Sequence, residues 1–73
     1  MGVSAKTTGD LVRIAAAGAS LEIDTQKTTG DLVRIAAAIA SGGGHLTIIG
    51  SSKTTGDMVR IAAAAPGKVT FRD

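Results

Sequence analysis

Three short segments carry residue types that bind anions: Lys6-Thr7-Thr8-Gly9, Lys27-Thr28-Thr29-Gly30 and Lys53-Thr54-Thr55-Gly56. Each opens a stretch that reads as helix. A helix N-terminus with free N–H groups, an ammonium and two hydroxyls is a plausible seat for a phosphate. Lined up in a stack, the three starts would form an edge able to meet phosphates spaced along a polymer. Two features oppose this. Asp10, Asp31 and Asp57 follow within the first turn, where they complement the helix dipole and repel anions. The glycine follows the Lys-Thr-Thr, so the order is not that of a P-loop. A capped, solvated helix start is the simpler reading, and a weak phosphate or nucleic-acid binder is the alternative.

A second surface is the polar side of the segments between the helices. Glu22 and Asp24, Thr47 and Ile49, and Thr70 and Arg72 would stand side by side if these segments are neighbouring strands, with acids at one end and a base at the other. Repeat arcs bind partners on such faces, and a second copy related by a two-fold axis would match acid to base. A solvated face is the plainer account. His45 is the only histidine, and no spacing suggests the convergent partners that a metal site or a Ser-His-Asp relay needs. It reads as a turn residue beside Gly42-Gly43-Gly44, and that run reads as a flexible insertion rather than a nucleotide-binding fingerprint. No catalytic residue, cofactor site or metal site is expected, and the chain reads as non-enzymatic.

The elements that must position these residues come from one repeated segment. KTTGDLVRIAAA begins at Lys6, Lys27 and Lys53, so the copies start 21 and then 26 residues apart, and the third differs only by Met58 in place of leucine. Such periods mark stacked repeats whose single units cannot bury their own apolar face. Thr followed three residues later by Asp is a capping signature, although either threonine of each pair could be the cap. Leu11, Ile14 and Ala15 share one stripe, flanked by Val12, and Arg13 is within reach of Asp10 for an ion pair of about 0.2–0.5 kcal/mol. Helices this short are marginal alone, so the stripe must pack on something.

Between the helices the apolar period becomes two. Leu21 and Ile23 alternate with Glu22 and Asp24, Leu46 and Ile48 with Thr47 and Ile49, and Val69 and Phe71 with Thr70 and Arg72. Val3 could begin a short edge strand. The expected order is β-α-β-α-β-α-β, a small α/β repeat stack in a single domain covering residues 1–73. Right-handed crossovers between strands added in order would put all helices on one face of a parallel sheet. Alternating strands agree, because a sheet covered on both faces shows continuous apolar runs. In repeat length and strand-plus-helix content the plan is similar to a leucine-rich-repeat arc, without the L-x-x-L-x-L-x-x-N run of that family.

Composition narrows the function classes. The 73 residues carry a net charge of +2 with no run of Lys or Arg, so no polybasic patch for nucleic acid or lipid is written linearly. The apolar stretch from Ile35 to Ala40 is far too short to span a bilayer, and no secretory signal is visible. The expected location is the cytoplasm. With no cysteine and Phe71 as the only aromatic, a core of small aliphatics must find stability elsewhere, and oligomerisation is the natural source. Repeat stacks normally finish in atypical polar caps, and the first and third helices here are copies of the middle one. The expected partner is therefore the chain itself, as a homo-oligomer and in the simplest case a dimer, formed by end-to-end extension or by exchange of elements about Gly42–Gly44. Another protein is the second candidate, nucleic acid is disfavoured, and no membrane is involved. Exact repetition of exposed positions points to a recent duplication or a built consensus sequence, with a repeated surface that has a use as the alternative.

Overall fold

The computed structural model describes residues 5–50 and 52–73. Six elements alternate along the chain: α1 (Thr8–Ala16), β1 (Leu21–Asp24), α2 (Thr29–Gly42), β2 (Leu46–Ile49), α3 (Thr55–Ala64) and β3 (Val69–Arg72). The strands form one parallel sheet in the order β1-β2-β3. This is the expected α/β alternation with six of its seven elements; Val3, the candidate for the seventh, lies outside the described residues. The Cα positions span 28 × 27 × 18 Å, and the short dimension is that of two layers, one of helices and one of sheet.

The period-two strands dictate which face is covered. Leu21, Ile23, Leu46 and Ile48 are buried, while Glu22 is exposed and Asp24, Thr47 and Ile49 are half-buried. The inward residues meet Leu11, Ala15, Leu32, Ile35, Ala36, Ile39 and Ile61 in one aliphatic cluster. Each fully buried Leu or Ile contributes about 1.5–3 kcal/mol relative to exposure. No polar or charged residue is buried among those described, so the core is held by apolar burial and backbone hydrogen bonds. Within the helix layer, α2 packs against both α1 and α3.

The triple glycine is not a flexible insertion. Of the five extra residues in the second interval, four lie between Lys27 and β2, where they lengthen α2 to 14 residues against 9 in α1 and 10 in α3. Gly42 ends that helix packed against the end of α1. A side chain there would be driven into the Ala15 carbonyl oxygen, and its Cβ would lie 3.0 Å from the Gly18 nitrogen. Gly44 stands in the same relation to the Ala19 carbonyl. Between them Gly43 adopts the left-handed conformation (φ 88°) and donates its N–H to the Ile39 carbonyl at 2.9 Å, closing the helix. The glycines are contact points between backbones, which argues against the hinge read from composition.

Candidate functional site

The three Lys-Thr-Thr segments sit at the helix starts as expected, and the fold uses one threonine of each pair and one of the lysines itself. The first threonine of each pair is the cap. The side-chain oxygens of Thr7, Thr28 and Thr54 each accept the backbone N–H of the aspartate three residues on, at 3.2 Å. Thr8, Thr29 and Thr55 open the helices. Lys27 Nζ donates to the Lys6 carbonyl oxygen at 2.8 Å, so the second lysine ties its repeat to the preceding one. Asp31 and Asp57 meet Arg34 and Arg60 at 3.9 Å, the i, i+3 pairing expected of the repeat. These pairs are solvent-facing and worth little. What remains at each start is a bordered dipole with its nearest hydroxyl engaged. Thr28→Ala should destabilise the chain by about 1 kcal/mol, read as a lower urea midpoint at unchanged slope.

The open sheet face assembles as two rows across the strands: Glu22, Thr47 and Thr70 in one, Asp24, Ile49 and Arg72 in the other. Arg72 Nη2 lies 3.7 Å from Glu22 Oε1, a diagonal reach over β2 between side chains that are both mostly exposed. The face also takes in a group that sequence reading assigned to a turn. His45 Nε2 lies 2.7 Å from Thr70 Oγ1, and the His45 backbone N–H donates to Ser20 Oγ at 3.0 Å. Extending the period of Thr47 and Ile49 back by two residues would have placed His45 on this face. Thr25 receives Ser52 Oγ at 2.7 Å beyond the strand ends. Among the described residues, no three His, Cys, Asp or Glu side chains converge as a metal site, and no helix is long and apolar enough to cross a membrane.

The third surface comes from comparing equivalent positions in the three copies. Ile35 and Ile61 are fully buried, whereas Ile14, the same residue of the same segment, is only half-buried. Lys6, Asp10 and Ala17 are exposed, while Lys27, Asp31 and Ala38 are half-buried or buried, as are Lys53, Asp57 and Ala64. These positions share the flank of each helix that faces the preceding repeat. On α1 that flank is a shallow groove of ≈ 460 Å³ lined by Lys6, Asp10, Arg13, Ile14 and Ala17. The opposite flank shows the converse. Leu11 and Leu32 are fully buried but Met58 is half-buried; Val12 and Val33 are half-buried but Val59 is 62% exposed. Sequence reading recognised the copied stripe without separating its two flanks.

Compared with known proteins, the chain matches no family model, no curated sequence and no solved structure.

Proposed function

We propose that this chain is a non-enzymatic structural module that associates with copies of itself through the outer faces of its repeats. The observation that carries the reading is Ile14. Its equivalents Ile35 and Ile61 are fully buried on helices that each have a preceding helix packed beside them, and Ile14 stands half-exposed in a groove on α1. The exposure of Met58 and Val59 at the other end supports the same view. Phosphate binding along the Lys-Thr-Thr edge draws less support, because Thr7, Thr28 and Thr54 serve as caps and Lys27 is engaged with Lys6. The reading takes the cytoplasm as its compartment, where a chain with no cysteine loses nothing to the reducing conditions.

Light scattering coupled to size-exclusion chromatography tests it over a concentration series. Detection is by refractive index, since the chain has neither Trp nor Tyr. The expected result is a mass above that of the 7.2 kDa chain, rising with concentration. A constant single-chain mass, with the helical circular dichroism intact at low micromolar concentration, would overturn the reading.

A further inference from the structure

Each helix has one flank toward the preceding repeat and one toward the following repeat, and the chain joins these two kinds of flank twice, at α1–α2 and at α2–α3. Two flanks remain without a helix beside them among the described residues: the preceding-side flank of α1 and the following-side flank of α3. They are the two halves of the junction already made inside the chain. On α1 the half is Lys6, Asp10, Ile14 and Ala17. On α3 it is Thr55, Met58, Val59 and Ala62, each more exposed than its equivalents in α1 and α2.

We propose that copies join head to tail, with the α3 flank of one chain seated against α1 of the next, so that the helix layer continues from chain to chain as it does from repeat to repeat. This rests on the self-association reading above and gives it a direction. The partner is a second copy of this chain, and three observations favour it. The residues that meet are, Met58 apart, those that already pack in the internal junctions, so shape is matched by repetition. Val69 and Phe71 point to the helix side of β3 yet stay half-buried, where Leu46 and Ile48 of β2 are fully buried. A helix α1 from the next copy would lie over them, as α3 lies beyond β2. Charge also matches along the sheet. Continued by one strand in the same register, Arg72 on β3 would stand beside Asp24 of the next copy, about 4.8 Å away in the pairing direction, with Glu22 of that copy on the diagonal.

Such a junction joins unlike surfaces, so it does not saturate at two chains; it closes into a ring or runs on as a filament. This departs from the two-fold dimer that acid–base matching across the open face suggests. The two ends can be blocked separately. Ile14→Glu places a carboxylate in the α1 half, and Val59→Glu places one in the α3 half; both sites are at least partly exposed, so the fold tolerates them. A charged side chain forced into either half of the junction should weaken association by about 10-fold to 100-fold. Should Ile14→Glu lose its helical circular dichroism, Ala17→Arg on the exposed outer surface of the same groove replaces it.

The wild-type chain, each blocked variant alone and their equimolar mixture are compared by light scattering. The expected result is assembly of the wild type, single chains for each variant, and a two-chain species in the mixture that grows no further. Each variant then supplies the half that the other lacks. If one variant alone still forms a dimer, the interface is a face meeting itself and the head-to-tail proposal fails. If both variants assemble like the wild type, another surface such as the open sheet face is responsible, and it fails again. A wild type that remains a single chain fails earlier, by removing self-association itself.

Discussion

Replacing Gly42 with alanine is expected to lower the melting temperature by about 4–24 °C. The added Cβ collides with the Ala15 carbonyl and crowds the Gly18 nitrogen at 3.0 Å, and both are backbone atoms held in the α1 end. Neither can swing aside as the tip of a flexible side chain would. Overpacking of this kind costs about 1–3 kcal/mol, and each kcal/mol moves the midpoint of a small domain by about 4–8 °C. Gly9→Ala is the matched control. A Cβ at Gly9 meets nothing within 4 Å, and alanine in a helix gains up to about 1 kcal/mol over glycine. The two substitutions should therefore move stability in opposite directions, read by thermal or urea denaturation. Equal and small effects would mean that the end of α2 stands clear of α1.

Ile35→Ala should cost about 2–5 kcal/mol, the range for a large aliphatic removed from a closed site. A chain of 73 residues is stable by only about 4–11 kcal/mol, so this one change removes a large share. Ile61→Ala belongs in the same range, because Ile61 is also fully buried. Ile14→Ala is the discriminating member of the series. The residue is identical and so is the segment, yet Ile14 is half-exposed, and at concentrations where the chain is single the cost should be about 1 kcal/mol. As concentration rises into the assembling range, the cost of Ile14→Ala should grow while that of Ile35→Ala holds. Bound neighbours stabilise the folded state by mass action, and a substitution diminishes that gain only where the substituted residue lies in the contact. Denaturation midpoints at two protein concentrations check this, and equal costs for all three isoleucines would remove the distinction between inner and outer repeats.

Local signals made most of the fold legible. The Thr-x-x-Asp spacing gave the three helix starts, and the hydrogen bonds at Thr7, Thr28 and Thr54 then chose between the two threonines of each pair, which spacing alone left open. Alternation in Leu21–Asp24, Leu46–Ile49 and Val69–Arg72 gave the strands and their covered side. What escaped depends on residues far apart in the chain. Gly42 reads as slack in any local window; its meaning comes from an α1 carbonyl some seven helical turns away in sequence. His45 meets Thr70 across 25 residues, and Lys27 meets the Lys6 carbonyl across 21. The two flanks of the copied helix escaped for a different reason. Identical letters cannot report different surroundings, and only burial separates Ile14 from Ile35.

Three interchangeable helices set a refolding chain a sorting problem, since any copy can offer the same stripe to the same strand surface and native-like misarrangements are nearly degenerate locally. The lengthened end of α2 breaks that degeneracy. The first and third copies end their helices earlier, at Ala16 and Ala64, and continue at the same offset with Leu21 and Lys68. Neither side chain can enter the space under the Ala15 carbonyl. The middle place is thus keyed to the middle copy by the absence of a side chain, and the order of the helices is decided where the repeats cease to be alike.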